Sequence, residues 1–559
     1  MKLDLHVKNQ GKISLTDKNY IGAGGEANIY TKNKTAYKIY HDSVKMIPVA
    51  KMQELSTISA ANVLNPQNVI YNSKNKPVGY TMAFKKNTHP LCKLFTKSFK
   101  NNNNISGQDI TKLITEIQKT IEKIHKEGFL IVDLNEMNII VSPTFKTPYF
   151  IDVDSYQTKS YKATAIMESI RDPLIKKNGF TEFSDWFAFA VLSMQLYINI
   201  HPYKGRHPDY KPNEWIKRMG DGVSVFNKNV SLPRVCNDFS VIPKAHLNWF
   251  KDVFIKNNRS IPPYADSITV LVIAPSTFIK SNEGFDTNLI IEYDENILSA
   301  FNFIGVNYVV TKSKIYKENK PLPVNIDGYK TLLCESTNMS LVICKLKDNI
   351  LVFEEVNGQQ ISSTVASDMM YKDGVIYSLS DGKIWEHTFI EFGNKILHKP
   401  RVACNALENA TKIFEGVIFQ DLIGKCHITL PYEKGKCLFK PIKELNGYRI
   451  LEAKAEGNIC GIMTERKGVY YRFVLIFNDN FTTYIINKTG DVSFAPIRLT
   501  VLPNGVCIMI YDSKVRIFKG DKGKFINNPP FDSSMSLFNN SGNVCFIDKN
   551  KIYSAKVKK

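Results

Sequence analysis

Apolar residues recur at helical spacing in two segments of the first half of the chain. Between Asp109 and Gly128, isoleucine and leucine return every three or four residues, which predicts an amphipathic helix that stops at the glycine. The segment 184–198 is apolar on nearly every side, which predicts a buried helix capped by Ser184. Strand-like runs alternate with these helices and the "NNNN" at 101–104 is typical of an exposed loop, so residues 1–275 are predicted to mix α and β structure.

From about residue 285 the helical period fades, and short β-branched and aromatic runs alternate with Gly, Asn and Asp turns. A turn followed by a strand that ends in an aromatic residue recurs at intervals of 37, 32, 54, 38, 41 and 35 residues. That spacing is near the period of about 40–45 residues expected for four-stranded repeats, and it predicts a β-propeller of six or seven blades. A β-sandwich, or a pair of them, is the alternative interpretation. The seven aromatics are Tyr316, Phe353, Trp385, Phe439, Phe477, Phe518 and Tyr553.

Length and charge limit the number of domains and the classes of ligand. A chain of 559 residues predicts two or three domains, and 43% apolar with 23% charged residues is typical of a globular protein. The net charge of +20 is uneven: residues 1–275 hold 37 Lys+Arg against 23 Asp+Glu, hence +14, which leaves +6 for the rest. Such a field attracts nucleotides, acidic proteins or nucleic acid. The positive residues are scattered lysines, so a solvated surface is the alternative, and only weak nucleic-acid association is expected.

The cysteines and the apolar runs bear on compartment. Ten cysteines fall singly, without the paired spacing of a zinc site, which favours buried reduced thiols. The first residues are polar and lack the apolar core of a signal peptide. The longest apolar runs fall short of the roughly 20 residues that span a membrane. A cytoplasmic protein without a membrane segment is therefore expected.

The first candidate site is a glycine cluster near the N-terminus. Gly22, Gly24 and Gly25 lie between two strand-like stretches, and Lys38 lies in the second of them. Glycine lets backbone amides approach a polyphosphate, and a lysine on the neighbouring strand can neutralise its charge. A glycine turn in a hairpin with an exposed lysine explains the same residues equally well.

The second candidate site is a cluster of acids and an amide. Asp133 and Asn138 lie in "IVDLNEMN", and Asp152 follows in "IDVD". A carboxylate that orients a hydroxyl, with an amide oxygen and a second carboxylate that share Mg²⁺, is what phosphoryl transfer requires. The alternative is that each aspartate is a turn former or a helix cap.

Together these stretches resemble a eukaryotic-type Ser/Thr protein kinase domain. "IGAGGEANIY" is similar to the glycine-rich loop, "AYK" to the strand with the phosphate-binding lysine, "DLNEMN" to the catalytic loop and "IDVD" to the metal-binding segment. "SDWFAFAVLSMQLYINIHPYKG" resembles the buried helix F and its following loop. The residues of the "DLNEMN" and "IDVD" motifs are most similar to those of a bacterial branch of kinases associated with helix-hairpin-helix DNA-binding proteins.

The resemblance implies a fold class and a division of the chain. We expect an α+β bilobal kinase-like domain followed by an all-β, WD40-like propeller of six or seven blades. The expected bounds are 1–275 for the kinase-like domain, with an N-lobe at about 1–85 and a C-lobe at about 86–275, then a linker at 276–289 and the propeller at 290–559. The expected setting is the cytoplasm of a bacterial or phage-infected cell.

The resemblance also implies roles for the site residues, with ATP and Mg²⁺ as cofactors. Asp133 would be the catalytic base, and Lys38 would hold the ATP phosphates with Glu54 as its ion-pair partner. Asn138 and Asp152 would bind Mg²⁺. The nucleotide-binding set would be Ile21, Gly22, Gly24, Gly25, Ile29, Ala36, Lys38, Glu54 and Met82, with Ile29 and Ala36 on the adenine and Met82 in the hinge at 79–84.

Two further residue roles follow from the resemblance. Asp185 would tie the buried helix to the catalytic loop. Asp172, in "RDPL", would pair with Arg259.

Some positions depart from the family pattern. Ile131 and Val132 replace the His-Arg before the catalytic aspartate, Asn135 replaces the loop lysine, and Asp154 replaces the glycine after the metal-binding aspartate. The expected function is an ATP- and Mg²⁺-dependent Ser/Thr protein kinase whose propeller recruits a protein substrate or partner. The alternatives are a pseudokinase scaffold that binds nucleotide and acts through the propeller, and a basic nucleic-acid-associated protein.

Overall fold

The computed structural model describes residues 2–163, 166–175, 179–265, 284–303, 305–433, 435–511 and 514–558. Contacts divide the chain into two compact units, one formed by residues 1–280 and 467–469 and the other by residues 281–466 and 470–559. Of the predicted linker at 276–289, residues 276–283 lie outside the described residues, and a strand begins at Phe285.

The first unit begins with a seven-stranded antiparallel sheet, whose strands lie in the order β2-β1-β6-β7-β5-β4-β3. A separate three-stranded sheet follows, in the order β10-β9-β8. The strands are β1 (Lys2–Val7), β2 (Gly11–Thr16), β3 (Tyr20–Ala23), β4 (Ala27–Lys32), β5 (Thr35–Tyr40), β6 (Val69–Tyr71), β7 (Pro77–Ala83), β8 (His89–Pro90), β9 (Ile139–Val141) and β10 (Pro148–Phe150).

Six α-helices are found among the described residues. They are α1 (Val49–Leu55), α2 (Lys97–Asn102), α3 (Gly107–Lys126), α4 (Glu182–Ile198), α5 (Trp215–Gly220) and α6 (Lys244–Phe254). Both predicted helices are confirmed as α3 and α4. The predicted cap of α4 was wrong: Thr181 is the N-cap, and Ser184 completes a capping box from the third helical position. The "NNNN" stretch is exposed as predicted, although its first two residues end α2.

The second unit consists of seven four-stranded antiparallel sheets. Six of them use four consecutive strands, and the seventh pairs the first strand of the unit, β11, with the last three, in the order β11-β38-β37-β36. The strands that open the unit are β11 (Phe285–Glu292), β12 (Ile297–Phe303), β13 (Val306–Thr311), β14 (Ile315–Lys317), β15 (Lys320–Pro321), β16 (Lys330–Glu335), β17 (Leu341–Lys347), β18 (Ile350–Glu355), β19 (Gln360–Val365), β20 (Asp368–Lys372), β21 (Val375–Ser380), β22 (Lys383–Phe392) and β23 (Lys395–Asn405).

The remaining strands complete the unit. They are β24 (Thr411–Phe414), β25 (Val417–Leu422), β26 (Lys425–Glu433), β27 (Lys436–Pro441), β28 (Arg449–Glu456), β29 (Ile459–Arg466), β30 (Val469–Phe477), β31 (Tyr484–Gly490), β32 (Leu499–Val501), β33 (Cys507–Tyr511), β34 (Lys514–Lys519), β35 (Lys522–Asn527), β36 (Ser536–Asn540), β37 (Asn543–Asp548) and β38 (Lys551–Val557).

The recurring aromatics each belong to a different four-stranded sheet. Five of them lie on the third strand of their sheet in chain order, while Phe439 on β27 and Tyr553 on β38 lie on the fourth strand of their sheets. The second strands of several sheets, such as β17, β21 and β29, are buried along nearly their whole length. Apolar side chains of neighbouring sheets pack into shared clusters, such as the one that joins β25 and β26 to β28–β30. The repeat in the sequence therefore corresponds to one small sheet per period.

The expected fold class was wrong. The chain is mostly β, with 44% strand and 17% helix, and no predominantly helical C-lobe is evident among described residues after position 85. The second unit is a set of small four-stranded sheets, which does not by itself define a propeller. The physical reason in the first unit is that long stretches between the helices, such as 127–138 and 199–214, form loops and turns whose backbone groups bond to other loops or to side chains rather than in a helical pattern.

Candidate active site

Strand register gathers the predicted nucleotide-binding residues of the seven-stranded sheet on one face. Lys38 of β5 lies opposite Ile29 of β4 and Tyr80 of β7, and Ala36 lies opposite Met82. Because directly paired residues of antiparallel strands point to the same side, Ile29, Ala36 and Met82 flank Lys38 on that face. Apolar side chains next to a buried cation suit a ligand with a flat apolar ring and an anionic tail.

The glycine cluster forms the turn between β3 and β4. The N–H of Gly24 donates to the carbonyl of Ala27 at 2.8 Å, which closes the turn, and Gly24 and Gly25 are exposed. Gly22 lies opposite Ile29, and Ile21 sits in the register shift between Tyr20 and Gly22. The turn therefore projects from the edge of the sheet that carries Lys38, two strands away.

Lys38 is held by two carboxylates. Its Nζ lies 2.6 Å from Asp152 Oδ1 and 2.6 Å from Asp154 Oδ2, and its side chain is only 9% exposed. Burial opposes the ammonium charge, but the two carboxylates hold the pKa of Lys38 well above its usual value. Burial would raise the pKa of Asp154, yet Lys38 and the Tyr40 hydroxyl lower it to about 2. Lys38 and Asp154 are therefore a charged pair shielded from bulk water, and Asp152 borders it with a half-exposed side chain.

Glu54 is not the partner of Lys38, which corrects the sequence prediction. Its carboxylate accepts the N–H of Ser160 at 3.4 Å. The face of α1 that is buried carries Lys51, Met52 and Leu55, and Lys51 Nζ donates to the backbone carbonyl of Asp154 at 2.7 Å. The helix therefore presents a cation to the site where an acid was expected.

Asp185 of α4 shapes the loop before Asp133. Its fully buried carboxylate accepts the N–H groups of Ile131 and Val132, both at 2.8 Å, and contacts His125 Nε2 at 2.9 Å. Val132 has a φ of 64°, a left-handed conformation that β-branched residues rarely adopt and that costs about 1–3 kcal/mol. The role predicted for Asp185, tying the buried helix to this loop, is confirmed.

Asp133 follows this strained residue and lies at the end of the loop. Its Oδ1 accepts the N–H of Met167 at 2.9 Å, and its Oδ2 accepts Asn138 Nδ2 at 3.1 Å. Burial raises the pKa of Asp133, although these donors oppose the shift. A carboxylate with a raised pKa and fixed orientation is suited to take a proton from a hydroxyl.

The backbone brings Asn138 next to the segment that contains Asp152. The N–H of Ile151 donates to the Asn138 carbonyl at 2.9 Å, and Asp152, the next residue, has a φ of 60° and a half-exposed side chain. Among the described residues no donor is bonded to Asn138 Oδ1, which leaves this oxygen available.

These two side chains fit Mg²⁺, which commonly takes one or two protein ligands and completes its shell with phosphates and water. No group of three or more His, Cys, Asp or Glu side chains is placed to hold a metal in the ranges that the structure describes. Asn138 and Asp152 would therefore hold the ion with oxygens from a phosphate ligand.

The structure thus joins Lys38, Asp133, Asn138 and Asp152, which are distant in the chain, through a continuous series of contacts. The pairing predicted between Arg259 and Asp172 is also confirmed: Arg259 Nε and Nη2 each lie 2.7 Å from a carboxylate oxygen of Asp172.

Three site residues were missed from the sequence, namely Tyr40, Lys51 and Asp154. In the sequence Asp154 stands out only as a departure from the kinase pattern, and its position two residues after Asp152 is the one available signal.

Comparison with known protein families gives no match to this chain, and a search of curated proteins gives none either. None of the helices in the described ranges has both the length and the apolar character needed to cross a membrane.

Proposed function

We propose that the protein is an ATP- and Mg²⁺-dependent protein kinase that phosphorylates Ser or Thr, and that its C-terminal unit recruits the substrate or a partner. The single observation that supports the proposal best is the convergence of Lys38, Asp133, Asn138 and Asp152 in the first unit. A cation, a fixed base and two oxygen ligands are the groups on which phosphoryl transfer depends.

Each side chain has a separate task in this proposal. Bound ATP would supply the phosphoryl group, and Mg²⁺ would neutralise its oxygens. Lys38 orients the phosphates by charge, and Ile29 and Met82 exclude water from the adenine ring of ATP. Asp133 accepts the proton of the substrate hydroxyl as the new oxygen–phosphorus bond forms and the bond to the leaving ADP breaks.

Exposed apolar side chains support the recruiting role of the C-terminal unit. On the long β22–β23 hairpin, Phe392 is 78% exposed and Leu397 is 52% exposed. Apolar residues at such positions are enriched at contacts with other proteins.

The test is the incorporation of γ-phosphate from MgATP by the full chain. Asp133→Ala and Asp152→Ala should each lower incorporation by about a hundredfold or more, because each removes a group required in the transition state. Glu116→Gln, an exposed change on α3, is the matched control and should match the wild type. Equal incorporation by all four proteins would refute the kinase proposal.

Asn135 favours a second candidate, a pseudokinase scaffold. Its Oδ1 accepts the N–H groups of Met137 and Asn138, at 2.8 and 3.1 Å, so the residue that replaces the family's lysine turns back into its own loop. In that case MgATP should bind to the wild type, as measured by calorimetry, without any transfer of phosphate.

A further inference from the structure

We propose that Asp154 is the positioning residue of the phosphate-binding lysine: its carboxylate fixes Lys38 from the turn that follows Asp152, while α1 fixes that turn through a lysine of its own. This inference rests on the proposed function, since it assigns the residue that holds Lys38 against the phosphates. The task was expected of an acid on α1. Here the acid, Asp154, lies in the turn after Asp152, and α1 carries a lysine, Lys51, in its place.

The contacts of Asp154 are those of a fixed support. Lys38 Nζ and the Tyr40 hydroxyl both donate to Oδ2, at 2.6 and 2.5 Å, and the Asp154 side chain is 7% exposed. Since Lys38 and Tyr40 lie two residues apart on β5, they reach the same oxygen from one face of the sheet. The carboxylate is therefore locked to the strand that carries the lysine.

Asp152 has a different environment, although it touches the same ammonium. Its side chain is 49% exposed, and it stands beside Asn138, where the ion would bind. An oxygen that turns to a metal can no longer hold Lys38 as closely. The two carboxylates therefore have different roles. Asp152 is free to leave Lys38 and bind the ion, and Asp154 keeps the lysine in place.

Lys51 on α1 holds the turn that carries Asp154. It is 6% exposed on the buried face of α1, and it donates to the Asp154 carbonyl at 2.7 Å. The helix thus anchors the backbone of the turn, and the turn anchors Lys38. An acid at position 51 would face a carbonyl oxygen and the Asp154 carboxylate, which explains why a lysine suits this position.

The first test is a double-mutant cycle on MgATP binding by the full chain, measured by calorimetry. Asp154→Asn should weaken binding about tenfold or more, as expected for the loss of a charged hydrogen bond. In a Lys38→Met background the same change should have less than a twofold effect, because the residue through which it acts is gone. An equal loss in both backgrounds would overturn the proposal.

Steady-state kinetics with ATP provide a readout that a merely structural role would not move. Asp154→Asn should raise the KM for ATP, whereas simple loss of folded enzyme would lower kcat alone. Tyr40→Phe, a milder variant that removes one bond to the same oxygen, should raise the KM by about two- to fivefold. Glu54→Gln should have a smaller effect than either, and a larger effect would restore Glu54 as the partner and overturn the proposal.

Chemical labelling separates this inference from the kinase proposal. Acetylation of the ATP-free protein, followed by peptide mass spectrometry, reports how well Lys38 is protected. Asp154→Asn should speed acetylation of Lys38 more than Asp152→Asn does. If MgATP neither binds nor reacts but this order is found, the function fails and the hold of Asp154 on Lys38 stands; if the order is reversed, the positioning role is refuted.

Discussion

Two buried lysines, one in each unit, are paired in different ways. In the first unit Lys38 meets Asp152 and Asp154, which follow it by 114 and 116 positions. In the second unit Lys345 meets Glu354, which lies on the adjacent strand of the same hairpin, at 2.6 Å. One arrangement gathers charge from distant segments, and the other completes a contact between neighbouring strands.

The difference helps to identify a functional site. A cross-strand pair compensates the desolvation of two side chains within one sheet, and an apolar pair of similar size can do the same. A cluster that brings three charges together from two segments distant in the chain must be held by the whole unit, and such clusters are commonly found where a ligand uses them. The four predictions below test this distinction, in order of decreasing effect.

Removal of the carboxylate that shapes the loop before Asp133 should have the largest effect. Asp185→Ala leaves the N–H groups of Ile131 and Val132 buried without an acceptor. We expect the free energy of unfolding of the first unit to fall by about 3–5 kcal/mol. Urea unfolding followed by tryptophan fluorescence measures this loss. Glu182→Ala, an exposed change on the same helix, should cost less than about 0.5 kcal/mol, and equal losses would contradict the assignment.

Close backbone contacts allow a matched pair of variants. A Cβ on Gly79 would lie 2.0 Å from the carbonyl oxygen of Lys38, and one on Gly416 would lie 2.2 Å from that of Ala455. Each Gly→Ala change should lower the stability of its unit by about 1–3 kcal/mol, since backbone must shift. Only Gly79→Ala should also weaken MgATP binding, because it displaces the strand of Lys38. Equal MgATP affinity of the Gly79→Ala and Gly416→Ala variants would show that the strand of Lys38 has no special part in nucleotide binding.

Acidification should weaken the second unit through a buried chain of hydrogen bonds. His387 bonds to Ser378 and to His398, at 2.8 and 2.9 Å, and burial lowers the pKa of His387 to about 3, with a smaller contribution from His398. An unfolded histidine has a pKa of about 6.5, so this stability is complete above that pH and is lost as the pH falls below it.

The expected loss from this histidine is about 2 kcal/mol between pH 7.5 and pH 5. Urea unfolding at the two pH values, with hydrogen exchange of the peptides around β21–β23 as the readout, measures it. His387→Phe should remove most of the pH dependence in these peptides. An unchanged dependence in the variant would place its origin elsewhere.

Replacement of the local ion pair should have the smallest effect. The double variant Lys345→Met/Glu354→Leu should unfold within about 1 kcal/mol of the wild type, because an apolar pair fills the same space. Either single change should cost more than the double, since it leaves one charge without its partner. Differential scanning calorimetry of the three variants checks the order, and a double variant that is less stable than both single variants would refute it.

Helical period and chemical character were enough to predict part of this molecule. The apolar spacing in α3 and the apolar surface of α4 were sufficient to predict both helices, because each helix is long enough for its pattern to be visible. The kinase resemblance predicts the grouping of Lys38, Asp133 and Asp152, since phosphoryl transfer depends on such groups lying close together.

The partner of Lys38 could not be predicted in the same way. Lys51 and Glu54 lie three positions apart on a seven-residue helix, hence about 60° apart around its axis, and so short a pattern does not tell which one faces the site. The fold class failed for a related reason. The clearest helices dominate the hydrophobic pattern of the first half, while the long loops between them and the many short strands carry no comparable period.

The pairing of β11 with β38 has a consequence for protein synthesis. The two strands are separated by about 260 residues, so β11 leaves the ribosome about 13–52 s before its neighbour at ordinary rates of translation. During that interval β11 offers an open edge to other nascent chains. The first unit can complete its folding in this time, whereas the second becomes a finished structure only when residues 551–557 emerge.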